Sequence, residues 1–123
     1  MNADPSSKRK MSEMISEMAG AFIGVGKTAE DKQSRLTAAC SAWNMACGSP
    51  EVRQQQLEQY VEGYLRFNPA TSPSDLAKIR KDMETLIERK LHMFPDDNRQ
   101  IVGAKVVMVG TDYRIEVASA NLQ

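Results

Sequence analysis

Between Phe94 and Ile101 the spacing of apolar residues changes period, and that change limits the chain to a helical part followed by a β part. Upstream, Leu76, Ile79, Met83, Leu86, Ile87, Leu91 and Phe94 return every three or four residues, as one face of an α-helix requires. Downstream, Ile101-Val-Gly-Ala-Lys-Val-Val-Met-Val109 is a β-branched run, and a second run ends near Ala118. Gly110-Thr111 separates the two, so the region reads as a hairpin with strands over about 99–109 and 112–118. If glycine is the first residue of a two-residue type II′ turn, the register is fixed. Met108 then faces Tyr113, Val106 faces Ile115 and Ala104 faces Val117, which makes one surface apolar. Lys105 faces Glu116 and Val107 faces Arg114 on the other surface. One register therefore satisfies both faces.

Three more helices precede this point. Met11, Met14, Ile15, Met18 and Phe22 mark an amphipathic helix over about 10–23, ended by Gly24 and Gly26. Leu36, Ala39, Cys40, Trp43 and Cys47 stripe a second over about 28–47, whose start carries Glu30 and Asp31 where the helix dipole favours acids. Ser49-Pro50-Glu51 is a helix start, and the helix runs over about 50–67 until Asn68-Pro69. Ser72-Pro73-Ser74-Asp75 repeats that start for a fourth helix over about 73–94, closed by Pro95. The predicted fold is α+β, a single domain over 10–123 with four helices packed on a C-terminal antiparallel hairpin. Because a lone hairpin is marginal in water, its apolar face is expected to lie on the helices, with the long fourth one its expected partner. Residues 1–9, which end on the first two members of the triplet Lys8-Arg9-Lys10, read as a flexible basic tail.

The 123 residues carry 16 basic and 16 acidic side chains. After the first ten residues no segment departs from neutrality by more than one charge, so an electrostatic footprint for nucleic acid is missing. In the fourth helix Lys78 with Asp82 and Arg80 with Glu84 are spaced as i,i+4 ion pairs, and the basic residues including Arg89 and Lys90 read as a solvated face. Tyr60, Tyr64 and Phe67 have the spacing of a stacking platform beside Arg53 and Arg66, yet such a stripe is read first as core. No apolar run reaches the ~20 residues a bilayer demands, and Glu13 and Glu17 interrupt any signal-peptide reading.

Ala21-Phe-Ile-Gly-Val-Gly26-Lys27-Thr28 matches the loose nucleotide pattern, so Gly26, Lys27 and Thr28 are candidate phosphate-binding residues. A P-loop must follow a buried strand, whereas this segment follows a helical stretch. Cys40 and Cys47 lie about 10.5 Å apart along one helix, too far to bond to each other. As free thiols they fit a reducing cytoplasm. His92 is the only histidine and reads as a helix-end cation. Asp96-Asp97-Asn98 lacks the spacing of a calcium loop and reads as a turn.

No catalytic, cofactor or metal site is predicted. The expected function is that of a small cytoplasmic, non-enzymatic protein–protein interaction domain that self-associates as a homodimer. Interface candidates are Met11, Met14 and Met18, because methionine suits adaptable surfaces, and the hairpin edge around Val107 and Val109. Alternatives are a small nucleic-acid-binding regulator and a nucleotide-binding protein using residues 21–28.

Overall fold

Thr28, Ser49 and Ser72 precede three of the four helices, and each hydroxyl satisfies an N–H group that a helix start leaves unpaired. In a computed structural model, which describes residues 9–120, the elements run α1 (Met11–Gly24), α2 (Ala29–Ala46), α3 (Pro50–Phe67), α4 (Pro73–Met93), β1 (Gln100–Val109) and β2 (Asp112–Ala120). Thr28 accepts from the Asp31 N–H at 3.0 Å, Ser49 from Val52 at 3.3 Å and Ser72 from Asp75 at 3.1 Å. Pro50 and Pro73 sit in first positions that need no donor. The protein is therefore α+β, with the helices packed on the hairpin as the sequence implies. Residues 1–8 of the expected tail lie outside the described residues. Arg9, its last member, is held in place: it pairs with Glu17 and lies 5.9 Å from the centre of the Phe94 ring.

α2 is the central element, with α1, α3, α4 and β1 all packed against it. Its expected stripe of Leu36, Ala39, Cys40 and Trp43 is buried, and so are Ala38, Ala42, Met45 and Ala46 on other sides. Small side chains let several neighbours approach at once, and a helix apolar on most sides belongs inside. Among the described residues no helix is long and apolar enough to cross a membrane.

The hairpin has the expected register: Met108 faces Tyr113, Val106 faces Ile115, Lys105 faces Glu116, Ala104 faces Val117 and Val107 faces Arg114. Gly110 has φ 65°, and no other described residue has a positive φ, the pattern a type II′ turn requires. Two features depart from expectation. The strands pack on α2 and α1, not on α4. Gln33 and Asn44 of α2 hydrogen-bond β1, whereas α4 packs on α1, α2 and α3. The second feature is a bulge between Ile101 and Gly103 that leaves Val102 without an opposite residue. A bulge shifts the side-chain alternation by one. Ile101 is consequently turned into the core at 8% exposure, while Val102 stands 67% exposed.

In α4 the buried stripe is Met83, Leu86, Ile87 and Lys90. Lys90 is thus no part of a solvated face. α3 packs only through its middle, at Leu57 and Val61.

Candidate interaction surface

Alternate residues of a strand point their N–H and C=O groups to opposite edges, so a two-stranded sheet has two rows of backbone groups to satisfy. Part of the row on β1, at Ile101, Ala104 and Val106, is covered by α2. Gln33 Nε2 donates to the Ala104 carbonyl at 3.1 Å, and its Oε1 accepts the Val106 N–H at 2.8 Å. Asn44 does the same at Ile101, donating at 3.0 Å and accepting at 2.8 Å. Each carboxamide stands in for one residue of a neighbouring strand. Trp43 adds a bond from Nε1 to the Arg99 carbonyl at 2.8 Å just before β1 begins.

The row on β2 has no such cover. Because Val106 bonds outward and lies opposite Ile115, Ile115 and Val117 direct their N–H and C=O groups away from β1. Among the described residues no hydrogen bond reaches those groups, and the Tyr113 N–H bonds only the neighbouring Asp112 Oδ1 at 2.8 Å. The inner face of β2, Tyr113, Ile115 and Val117, is half-buried against the core. On the outer face, the Glu116 carboxylate lies 3.1 Å from Arg114 and 3.6 Å from Lys105. The Arg114 hydrogen bond, followed by the charge of Lys105, holds Glu116 below its ordinary carboxylate range.

The interface candidates fall differently from expectation. Met11, Met14 and Met18 are core residues, 4%, 2% and 1% exposed, because their stripe faces the helical layer, leaving Ser16, Glu17 and Gly20 outward. Val107 is half-buried and Val109 exposed, on the stretch of β1 beyond the Val106 N–H, the last group that Gln33 reaches. Sequence reasoning missed Gln33 and Asn44, whose only signal is a carboxamide on an otherwise buried helix.

Gly26, Lys27 and Thr28 form a helix start following α1. Thr28 Oγ1 is engaged by Asp31, whose carboxylate in turn accepts the Lys27 N–H at 3.3 Å. Lys32 Nζ donates to the Gly26 carbonyl, and a Cβ at Gly26 would come within 3.0 Å of the Lys32 nitrogen. Carbonyls and an acid, not free amides, surround the place a phosphate would take.

Burial pushes the Cys40 thiol up to about 12 and also raises that of Cys47, so neither is poised as a thiolate. His92 is exposed in a shallow depression with Thr85, Glu88, Arg89 and Met93. Asp97 does more than turn the chain: its carboxylate accepts from Arg99 at 2.6 Å and 3.0 Å, and its carbonyl accepts from Lys90. Of the aromatic stripe, Tyr60 is half-buried, Tyr64 exposed and Phe67 85% exposed, so the stripe is not core. The basic residues of α4 are mostly committed. Arg80 pairs with Glu58 of α3 and not with Glu84, Arg89 donates to the Met18 and Glu17 carbonyls of α1, and Lys90 is buried. No protein-family model, curated protein or solved structure matches the chain.

Proposed function

We propose that this chain is a non-catalytic protein-interaction domain that accepts an extended strand of another chain along the outer edge of β2. The observation that carries the reading is the asymmetry of the hairpin: side-chain amides of α2 occupy the β1 edge at Ile101, Ala104 and Val106, while on β2 no bond reaches the outward backbone groups of Ile115 and Val117. An open row of donors and acceptors is a template for strand addition, in which main-chain bonds supply affinity and side chains supply choice. Non-catalytic use agrees with thiols whose burial keeps them protonated and with a Gly-Lys-Thr segment already occupied by its own helix start. A cytoplasmic setting agrees with two free cysteines.

Hydrogen exchange at the Ile115 amide tests this, measured from dilute to concentrated chain and again in cell extract. Strand addition slows that exchange, and Val117→Pro, which removes an outward N–H without breaking a bond to β1, abolishes the slowing. Fast exchange at Ile115 under every condition rejects the reading.

A further inference from the structure

We propose that the strand β2 receives is β2 of a second copy of this chain, paired antiparallel about a two-fold axis at Ile115. This rests on the reading that β2 is the docking edge, and it adds the identity and register of the partner.

The register follows from charge. A two-fold axis perpendicular to the sheet sets odd-numbered residues of β2 against odd-numbered residues of its copy, since these carry the outward backbone groups. Centring on Arg114 would place two arginines face to face, and centring on Glu116 would place two glutamates face to face. Centring on Ile115 sets Arg114 opposite the second copy's Glu116, and by symmetry the same pair forms again. Centring on Val117 sets Glu116 against Ala118 and leaves no charge pair. Opposite charges across a sheet favour a register and like charges directly opposite disfavour it. Centring on Tyr113 also sets Arg114 against an acid, Asp112, but puts on the axis the Tyr113 N–H that already bonds its own Asp112, so charge and backbone together select Ile115.

The backbone agrees with the side chains. In this register the Ile115 N–H bonds the second copy's Ile115 carbonyl, the Val117 N–H bonds its Tyr113 carbonyl, and both bonds recur by symmetry. The Tyr113 N–H keeps its own Asp112 partner. Tyr113, Ile115 and Val117 of both copies then line one continuous apolar face, with both helical layers on the same side. The strand order becomes β1-β2-β2-β1. Gln33 and Asn44 occupy outward groups of Ile101, Ala104 and Val106 on each outer β1, which disfavours further pairing there, and the two-fold pair is an isologous interface.

Small residues of α1 lie near the start of the edge. Gly24 lies against the Tyr113 hydroxyl, and a Cβ there would meet it at 3.3 Å. On the same helix Ser16 and Gly24 are exposed and Gly20 is half-buried, with nothing within 4 Å of a Cβ built at Gly20.

Sedimentation equilibrium on the full chain tests the proposal with four proteins and one mixture. The wild type forms a dimer. Arg114→Glu and Glu116→Arg each place two like pairs across the axis and weaken the dimer roughly tenfold or more in Kd. The double variant restores it, and an equimolar mixture of the two single variants forms a heterodimer tighter than either homodimer. Rescue by mixing excludes a fold defect, since each chain keeps its own substitution. Circular dichroism confirms that the monomers fold. A wild type that stays monomeric overturns the proposal, as does a dimer indifferent to the single substitutions. If the pure chain is monomeric while extract slows Ile115 exchange, self-pairing is overturned and strand addition stands; if exchange is fast everywhere, both are overturned.

Discussion

Lys90 shows how a single charge can be held inside. It is 1% exposed, and a lone ammonium in such a place is costly unless its donors are used. Its Nζ donates to the Asp97 carbonyl at 2.6 Å and lies 5.0 Å from the centre of the Trp43 ring, so a carbonyl and an aromatic face replace water. Residue type alone points such a lysine outward. The spacing says otherwise, because Lys90 stands three, four and seven residues after Ile87, Leu86 and Met83. Lys90→Met keeps the buried stem and loses the bond, at a cost of about 1–2 kcal/mol in chemical denaturation. Lys90→Ala loses the packing as well and costs about 3 kcal/mol or more. Equal effects of the two would refute the packing role. Asp97 makes the same corner sensitive to acid. Its burial favours the neutral carboxyl, but bonds from the Arg99 side chain and backbone outweigh that and hold its pKa below the ordinary 3.8. A depressed folded-state value means that the stabilisation is complete above the ordinary carboxylate range and disappears as pH falls from about 3.8 through the folded value. Thermal melting between pH 6 and pH 2 should therefore show Asp97→Asn less stable than wild type at neutral pH, the two curves converging at the acid end. A constant gap across the range would count against this assignment.

At the level of elements, the hairpin separates what was legible in the sequence from what was not. Its turn and the seven pairs of register from Val109–Asp112 to Gly103–Ala118 follow from local facts, a glycine at the one left-handed position and two faces of matching chemistry. Helix starts were legible for the same reason, since a capping serine or threonine acts within three residues of itself. The edge that remains open was not legible. That depends on Gln33 and Asn44, which reach residues more than fifty positions away, and polar side chains on a predicted helix give no indication of which strand they meet. The bulge at Val102 was hidden too, because a run of β-branched residues reads the same with or without one extra member. Gln33→Leu tests the edge argument directly. Removing the carboxamide leaves the Ala104 carbonyl and the Val106 N–H without partners, at a cost of about 1–3 kcal/mol. It also turns β1 into a second open edge, so light scattering should find concentration-dependent species larger than those of the wild type. A variant that is destabilised yet forms no larger species would show that closing β1 serves stability alone.

For the molecule as a whole, packing is graded outward from α2. Four elements press on that helix, and Leu36, Ala39, Ala42 and Trp43 have no exposed surface. α3 stands at the other extreme. It buries only Leu57 and Val61, and its principal ion pair to α4, Glu58 with Arg80, is part-exposed and therefore weakly stabilising. Its C-terminal end carries Tyr64, Leu65 and Phe67 into solvent. Burial of this unequal kind sets the free energy of local opening, since a segment with few apolar contacts can detach while the rest stays folded. Detaching α3 uncovers one side of α2 and leaves the contacts of α1, α4 and β1 in place, so the hairpin and its open edge should survive the event. Native-state hydrogen exchange in low denaturant separates the two behaviours. Amides in the middle of α2 should exchange only through global unfolding, with a denaturant dependence equal to that of the equilibrium transition. Amides of α3 should exchange through a smaller opening, with a lower free energy and a shallower denaturant dependence, and Leu57→Ala should lower their protection more than it lowers that of α2. The same free energy and slope for both helices would mean that α3 is bound into the core as firmly as α2, and the graded packing would have no dynamic consequence.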